Sequence, residues 1–383
     1  MIQVGNETPH LTAILHGVRL ALRSDSADFL TFTRAYLAPL LDDAASEIGD
    51  ESHIQVQVAW HARPLVKAMD GVSGSLEQLG RRLWAAPGHL RFTEFWQLPG
   101  LALDVVWRDG SPGTAVGGKL NIHAAYTWPS RRARWLSSLL PAAREQLFVA
   151  LIYYLVYFPW MWWLERERGW TLLHAGAVTA PVGSGTFGPQ DGMIFSGLPG
   201  CGKSTTTLAF LNQPEWQIVS DNLLFTNGQR AFACVEPIHV DERTRALVGD
   251  GGTLRERVRA TGRRFSHGRQ DYEVTAAARA LSTNPSALGF LHVGREMTIR
   301  RLAADDSARR LLANDHLAKE WLAYQESAAA IHQLWPKVGD LERRQTNLWA
   351  LAHAVPCYDV TMARGENVGH AVSTILLEME KDI

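Results

Sequence analysis

The run of residues 197–204, G-L-P-G-C-G-K-S, combines glycines with one lysine and one hydroxyl at a spacing that suits phosphate chemistry. It follows the pattern G-x-x-x-x-G-K-[ST], in which glycines let backbone N–H groups converge on phosphate oxygens. A helix that begins at the end of such a loop adds the positive end of its dipole. Residues 193–196 are predicted to form a strand before the loop, and a helical pattern begins at Lys203. This context predicts a nucleotide-binding site, against the alternative of an ordinary glycine turn before a helix.

Two side chains of the run have distinct predicted roles. The Lys203 ammonium would contact the β- and γ-phosphates, and the Ser204 hydroxyl would bind Mg²⁺. ATP and Mg²⁺ are therefore the predicted cofactors. The other residues of the predicted cofactor-binding set lie along the loop and the first helical turn, and they are Gly197, Gly200, Cys201, Gly202 and Thr205.

An acidic residue suited to proton transfer follows the loop. Phosphoryl transfer to a hydroxyl needs an in-line γ-phosphate, compensation of its charge and a base near the acceptor oxygen. Asp221 lies seventeen residues after Ser204, at the end of a short strand predicted over residues 216–219, and it is the candidate base. Because Ser220-Asp221-Asn222 is also turn-forming, the alternative is that Asp221 only caps a loop or helix.

Two further patterns, taken with the loop, give the chain a family resemblance. Residues 172–178, L-L-H-A-G-A-V, form a strand-like run with a histidine, and the apolar strand I-V-S-D-N at residues 218–222 ends in Asp221-Asn222. These features resemble the HPr kinase/phosphorylase family and its smaller relatives, the HPr-kinase-related proteins found with peptide-modifying gene sets. The fold of that family is shared with ATP-dependent phosphoenolpyruvate carboxykinases. The resemblance covers residues 171–236 well and the rest of the C-terminal half in outline.

The resemblance implies roles for particular polar residues. The family's proton-accepting Asp falls on Asp221, and its second acidic position falls on Asn222, a departure that affects charge neutralisation at the metal. The family's magnesium-binding Glu matches Glu236. The family's His-containing strand implies a functional role for His174, whereas a lone His on a strand is otherwise more typical of a satisfied core residue. The catalytic candidates are thus Asp221, Lys203 and His174.

An arginine-rich segment follows at residues 255–269, where six arginines accompany His267. Arginines bind phosphates and acidic peptides through paired hydrogen bonds, so the segment could handle an acceptor or a phosphate. It could equally be the solvated face of a helix. The candidates on its least helical part are Arg263, Arg264 and Arg269.

Composition bears on the class of function. The formal net charge is -1, so the chain has no global field that would attract nucleic acid or an anionic membrane. The cysteines number three and lack metal-ligand spacing, which predicts neither a disulfide framework nor a zinc site. The first ten residues have no secretory signal pattern, and a cytoplasmic protein is expected.

One apolar stretch raises the question of a membrane span. Residues 147–164 are almost wholly apolar and just long enough to cross a bilayer. Pro159, with three tyrosines and three tryptophans, favours a kinked core helix instead. Because a helix that is apolar on all sides is buried somewhere, the sequence predicts a buried interdomain helix, with a membrane span as the alternative.

The order of predicted elements favours an α/β protein of two domains. Residues 1–165 are predicted as an α+β N-terminal domain that docks a substrate or partner, and they carry no chemical motif. Residues 166–383 are predicted as a P-loop ATP-binding catalytic domain of the HPr kinase/PEP carboxykinase type. Helices are predicted at residues 28–41 with an Asp cap, 131–163 with breaks at prolines, 307–313, 318–334, 341–353 and 366–379.

The leading functional hypothesis is an ATP-dependent phosphotransferase that moves the γ-phosphate to a hydroxyl. The acceptor would be a Ser or Thr of a peptide or small protein, or the hydroxyl of a small metabolite. Two alternatives stay open: a non-catalytic ATP-binding sensor, which Asn222 favours, and an ATPase without an acceptor. Assembly into a homo-oligomer also stays open.

Overall fold

A computed structural model divides the chain into two units. One unit comprises Met1–Arg168 with Ala323–Val338, and the other comprises Gly169–Leu322 with Gly339–Ile383. The return of the chain to the first unit at Ala323 is a feature that the predicted domain boundary does not contain. The structure describes residues 10–42, 52–61, 76–108, 118–132, 135, 139–180, 190–248, 252–264, 270–315, 323–324, 327–328, 340–364 and 368–380.

In the described part of the first unit, eight strands form one mixed sheet. The strands are β1 (His10–Leu15), β2 (Val18–Ser24), β3 (Ile54–His61), β4 (Glu77–Gly80), β5 (Leu83–Ala86), β6 (His89–Phe92), β7 (Leu101–Arg108) and β8 (Lys119–Thr127). Their order across the sheet is β1-β2-β3-β8-β7-β6-β5-β4. β2 and β8 run parallel to β3, and the other pairs are antiparallel. β3 alternates buried Ile54, Val56 and Val58 with more exposed residues, as expected for a strand with one face on a core.

Helix α1 (Ala27–Tyr36) begins at a serine and not at the predicted Asp cap. The Ser26 hydroxyl accepts a hydrogen bond from the Phe29 N–H at 3.2 Å. This bond satisfies one of the N–H groups that have no partner within the helix. Asp28 lies in the first turn, where its negative charge interacts favourably with the positive end of the helix dipole.

Residues 131, 132, 135 and 139 are helical and residue 140 is not, so the predicted break at Pro141 is confirmed. The long apolar helix of the first unit begins at that break and continues past Pro159, where a second break was predicted. It consists of α2 (Pro141–Ile152), a π-helical turn (Tyr153–Tyr157) and α3 (Phe158–Arg168). Pro141 stands in the first turn, where its missing N–H costs no hydrogen bond. The π-helical turn widens the hydrogen-bond spacing just before Pro159, so the helix accommodates that proline without ending.

Burial decides how this helix is interpreted. Pro141–Arg168 is long and apolar enough to cross a membrane, but 72% of its most apolar 18-residue stretch is buried inside the structure. The Trp160 indole donates to the Val18 carbonyl at 3.2 Å, and the Trp163 indole donates to the Gly118 carbonyl at 2.9 Å. Tryptophans that hydrogen-bond to backbone carbonyls inside the protein are typical of a core helix.

The described part of the second unit contains a mixed sheet of eight strands and a smaller antiparallel sheet of three. The larger sheet consists of β9 (Thr171–Thr179), β10 (Asp191–Ser196), β11 (Gln217–Ser220), β12 (Leu223–Thr226), β13 (Ala231–Ala233), β17 (Ser282–Gly294), β18 (Thr298–Leu302) and β19 (Cys357–Ala363). The smaller sheet consists of β14 (Ile238–Val240), β15 (Val258–Arg264) and β16 (Gln270–Val274). β10, β17 and β19 run parallel, so their carboxyl ends meet at one edge, where α/β proteins bind ligands.

Helix α4 packs against both sheets of the second unit. The helices of this unit are α4 (Lys203–Leu211), α5 (Glu242–Val248), α6 (Gly252–Arg257), α7 (Ala304–Asp315), α8 (Asp340–Ala354) and α9 (Val368–Glu380). Phe210 of α4 packs in a buried cluster with Phe195 of the larger sheet. Leu208 and Leu211, on another side of α4, pack in a second cluster with Ile238 of the smaller sheet. The mixed α/β class predicted from the sequence is confirmed.

The arginine-rich segment forms two elements in place of a single helix. α6 ends at Arg257, and the chain continues as β15, in which Val258 pairs with Val274 of β16. Residues 265–269 lie outside the described residues, as does most of the helix predicted at residues 318–334.

Candidate functional site

The glycine loop lies between a strand and a helix, and both elements are confirmed. β10 ends at Ser196 and α4 begins at Lys203. Gly200 has φ +79° and Gly202 has φ +105°, in the left-handed region that glycine adopts without strain. A Cβ on Gly202 would meet the Met362 methyl at 2.6 Å, but a Cβ on Gly200 would meet nothing within 4 Å. The loop is therefore closely packed on one side and open at Gly200.

Lys203 is held inside this loop. Only 7% of the residue is exposed, and its Nζ donates to the carbonyls of Gly197 at 3.0 Å and Leu198 at 3.2 Å. A buried ammonium is costly unless it is hydrogen-bonded, and here the carbonyls of the loop accept its protons. The positive charge of Lys203 thus lies where the open side of the loop could receive an anion.

The hydroxyls of α4 connect the loop to its surroundings. The Thr207 hydroxyl donates to Asp221 Oδ1 at 2.9 Å, and the Ser204 side chain also hydrogen-bonds to Asp221. The Thr205 hydroxyl lies 3.3 Å from the Thr244 hydroxyl of α5. The Thr205 side chain therefore contacts helix α5. Its backbone N–H is the group that could bind a phosphate.

Asp221 lies directly after β11, beside the first turns of α4. Burial raises the pKa of Asp221, while hydrogen bonds from Thr207 and Ser204 and the charges of His239 and Lys203 lower it. The two hydroxyl donors fix the direction of the carboxylate. The structure thus brings the candidate base into contact with Ser204, the candidate metal ligand.

Asn222 joins two other predicted site residues. It hydrogen-bonds to the side chain of His174 on β9, and its Nδ2 donates to Glu236 Oε2 at 3.4 Å. An amide can serve both partners, whereas a carboxylate at position 222 would repel Glu236. Burial, with the charge of Lys203, lowers the pKa of His174 to about 3 against the effect of the Asn222 bond. His174 is therefore a neutral, buried imidazole at neutral pH.

Three polar residues that the sequence did not identify as a group meet on the smaller sheet. His239 and Asp271 are partners in the register of β14 and β16, and His239 Nδ1 lies 2.5 Å from Asp271 Oδ1. Arg263 Nε donates to Asp271 Oδ2 at 3.0 Å. Arg263 is thus bound to a buried carboxylate, and this contact differs from the acceptor or phosphate contact expected for it. Asp271 stands between Gln270 and Tyr272 in Q-D-Y-E-V, a run without apolar alternation, so no local pattern reveals it.

One cleft of the second unit brings several predicted residues together. Asp221, Asn222 and Glu236 line this cleft, together with Arg279. Arg264 ends β15, although its side chain is not described, and Arg269 lies outside the described residues. The structure therefore brings together, in one region of the second unit, the glycine loop, the candidate base Asp221, and His174 and Glu236, which both bond to Asn222.

The chemistry of this donor set fits a nucleotide with its magnesium ion. Among the described residues, no group of three or more His, Cys, Asp and Glu side chains could hold a metal ion. Mg²⁺ normally keeps several waters and binds through one or two protein oxygens plus substrate phosphates. Ser204, with Asp221 beside it, suits that manner of binding. The open side of the loop at Gly200 and the buried charge of Lys203 are suited to binding phosphates.

No protein-family model matches the chain, and no curated protein matches it. Function is therefore inferred from the site itself.

Proposed function

We propose that the chain is an ATP-dependent phosphotransferase with a P-loop domain of the HPr kinase type. It would transfer the γ-phosphate to a hydroxyl, either on a Ser or Thr of a peptide or small protein or on a small metabolite. The observation that carries the proposal is the contact of Asp221 with Ser204 and Thr207, since it joins a buried carboxylate to the first turns of the helix after the glycine loop.

The nucleotide would be held by the loop. Backbone N–H groups around Gly200 and Gly202, with the start of α4, offer donors to the phosphates, and Lys203 supplies a positive charge. The Ser204 hydroxyl would bind Mg²⁺, which compensates charge on the β- and γ-phosphates when it is bound. Lys203 would then exchange loop carbonyls for phosphate oxygens.

Asp221 would act as the base. As the acceptor oxygen bonds to the γ-phosphorus, the bond from that phosphorus to the ADP oxygen breaks, and the hydroxyl proton passes to the Asp221 carboxylate. Burial keeps the pKa of this carboxyl above its ordinary value, which makes it a better proton acceptor once ionised. The bonds from Thr207 and Ser204 hold it ready for that step.

One observation favours a second candidate, a non-catalytic ATP-binding sensor. Asn222 stands where the resembling family has a second acid, and it is already bonded to Glu236. In a sensor, this pair would stabilise the nucleotide-bound state without turnover. The Asp221→Asn variant separates the candidates, because an enzyme then loses turnover and keeps ATP, whereas a sensor keeps its full response.

The testing experiment follows labelled γ-phosphate from MgATP in the presence of a size-fractionated cytosolic extract. Wild type and Asp221→Asn are compared. Label that enters a peptide, protein or metabolite fraction only with wild type supports the phosphotransferase and reveals the acceptor class. Label released only as inorganic phosphate indicates an ATPase, and label that stays in ATP with both proteins contradicts the phosphotransferase in favour of the sensor.

A further inference from the structure

The eight-stranded sheet of the first unit has two unlike sides. Successive residues of a strand point to opposite sides, and register partners on neighbouring strands share a side. Val56 and Val58 of β3 are buried, and Trp60 continues the same alternation. The centroid of the Trp60 ring lies 5.8 Å from that of Phe29 in α1 and 5.7 Å from that of Phe148 in α2. Helices therefore cover this side, and the intervening positions point away from them.

The side away from these helices carries an exposed polar row. Arg23 of β2 is the register partner of Gln57 on β3, and Gln57 is the register partner of His123 on β8. All three residues are exposed. The row therefore crosses three neighbouring strands at the surface, with an amide between a guanidinium and an imidazole.

Positive charge is concentrated on the same side. The register places all Lys and Arg residues of the eight strands there, and these are Arg19, Arg23, Arg91, Arg108 and Lys119. Asp104 of β7 is the strand carboxylate that shares this side. Acids and bases are nearly equal in number in the whole chain, so a solvated sheet face would ordinarily carry both signs. The basic face departs from that expectation, and we define it as these five basic residues together with Gln55, Gln57, Asn121 and His123.

The carboxylates around the basic face are engaged with other groups. Asp104 accepts a hydrogen bond from Arg91 at 3.1 Å. The Asp42 carboxylate lies 3.7 Å from the Arg19 guanidinium. Asp25, just after β2, accepts a hydrogen bond from a backbone N–H of β3 at 3.0 Å. These acids therefore offset only part of the positive charge on this side of the sheet.

Two arginines of the basic face have no such partner. Arg23 and Arg108 are exposed, and neither forms an ion pair with a described residue. From the spacing of strands and the rise along them, their Cα atoms lie about 20 Å apart, the length of about six residues of extended chain. Gln55 of β3 and its register partner Asn121 of β8 lie between them. Side-chain amides both donate and accept hydrogen bonds, as a peptide backbone requires of its partner.

The other side chains of these strands favour a peptide over other polyanions. The Phe, Trp and Tyr residues of β2, β3, β7 and β8 are Trp60, Trp107 and Tyr126, and all of them point to the side covered by helices. Along these four strands, the basic face thus offers no stacking surface for single-stranded nucleic acid. The same four strands carry no exposed large apolar side chain that would insert into a membrane.

We propose that the basic face docks an extended acidic segment of a partner peptide or protein. Carboxylates of the segment pair with Arg23 and Arg108, and the amides of Gln55 and Asn121 hydrogen-bond to its backbone. This interaction goes beyond the phosphotransfer proposed above and does not depend on it, since it uses only the sheet of the first unit.

The test titrates the full chain into fluorescein-labelled decaglutamate at low ionic strength and follows fluorescence anisotropy. Arg23→Glu and Arg108→Glu reverse the charge of the two unpaired arginines. Arg34→Glu makes the same change at an exposed arginine of α1, a helix on the covered side of the sheet. Labelled decathymidylate and vesicles of phosphatidylserine are the comparison anions.

We expect wild type to bind decaglutamate, and Arg23→Glu and Arg108→Glu each to bind it at least about fivefold more weakly, because repulsion replaces attraction. Arg34→Glu should stay within about twofold of wild type, since salt and distance screen its charge from the basic face. Absence of binding by wild type, or equal losses of affinity in Arg34→Glu and Arg23→Glu, would overturn the proposal.

Two further comparisons complete the test. Tighter binding of decathymidylate or of the vesicles than of decaglutamate, reduced by Arg23→Glu, would overturn the acidic peptide as the ligand in favour of nucleic acid or a membrane. If an arginine variant fails to fold, Gln57→Glu replaces it, because it adds a negative charge beside Arg23 at an exposed position. Gln57→Glu should weaken decaglutamate binding at least about threefold, and unchanged affinity there counts against the docking role.

Discussion

Among single residues, Lys203 has the most direct consequence for the proposed chemistry. Its ammonium is buried against the carbonyls of Gly197 and Leu198, so the loop already contains the positive charge that a transferred phosphoryl group needs.

Asp221 and His174 show that burial shifts the pKa of an acid and the pKa of a base in opposite directions. It raises the pKa of the carboxyl and lowers the pKa of the imidazole, because in each case the neutral form is favoured.

Lys203→Ala should reduce phosphotransfer by at least about 10²-fold, the effect of removing one preorganised charge from the transferring group. The measurement is the initial rate of label transfer from MgATP. Arg300→Ala, which removes an exposed cation from β18 of the same unit, is the control and should keep the wild-type rate. Equal rates for Lys203→Ala and wild type would contradict the assignment of the phosphate loop.

His174 should make the second unit less stable in acid. Its folded pKa of about 3 lies below the unfolded value of 6.5, so between these values the unfolded chain binds a proton that the native protein does not. Stability therefore falls as pH drops below about 6.5, and from pH 7 to pH 5 this residue accounts for about 2 kcal/mol.

Urea unfolding of wild type and His174→Asn at pH 7 and pH 5 measures that contribution. The variant lacks the ionisation, so its stability relative to wild type should improve at pH 5. The comparison also removes the opposite contribution of His239, which both proteins share. A difference between the two proteins that does not change with pH would show that His174 is not buried in neutral form.

At the scale of elements, the site depends on where β10, α4, β11 and the smaller sheet end or cross. β10 and α4 place the glycine loop, and β11 brings Asp221 to the first turns of α4. The smaller sheet adds His239 and Asp271 through the pairing of β14 with β16. The packing of α4 against both sheets is what makes these contributions meet.

Gly200→Ala tests the open side of the loop. Gly200 has φ +79° and free space at its Cβ position, so alanine should cost about 1–2 kcal/mol of stability from backbone conformation alone. The new methyl group would lie on the open side of the loop and keep the backbone from approaching the phosphates closely. It should therefore weaken MgADP binding by at least about tenfold.

Gly262→Ala is the matched control for that loss of affinity. Gly262 in β15 has the same φ of +79° and also has nothing within 4 Å of its Cβ position. It should show a similar loss of stability in urea unfolding and unchanged affinity for MgADP. Equal affinities for the two variants would mean that the open side of the loop does not receive phosphates.

At the scale of the whole molecule, the first unit is completed by a segment that follows much of the second unit in sequence. Tyr324 is 2% exposed, packs on Phe158 with ring centroids 5.6 Å apart, and hydrogen-bonds to Glu165. Ser327 of the same segment donates to Gln97 at 3.1 Å. The first unit is therefore not a contiguous stretch of chain.

Tyr324→Ala should destabilise the first unit by about 3–5 kcal/mol, the usual cost of truncating a large buried aromatic side chain. Urea unfolding followed by tryptophan fluorescence measures this loss. Trp135→Ala removes an aromatic side chain from a residue that is 59% exposed and should change stability by less than about 0.5 kcal/mol. A small effect of Tyr324→Ala would show that the returning segment is dispensable for the first unit.

The sequence alone determined the elements and side chains that depend on neighbours along the chain. The glycine loop, the strand before it and the helix after it follow from residues within a short window. Asp221 also follows from a local pattern at the end of an apolar strand. The strands β4, β5 and β6 and the smaller sheet were missed, because strands of three to seven residues carry too little periodicity to be distinguished from loops.

Contacts between residues that are distant in sequence depend on tertiary packing. Asn222 connects His174 to Glu236, and Arg263 reaches Asp271 and not a phosphate. The register that pairs His239 with Asp271 spans 32 positions of sequence. Periodicity reports which face of an element is buried, but it does not report which element covers that face. Strand pairing and the burial of charge are properties of the folded molecule, so this part of the site could not be predicted from local pattern.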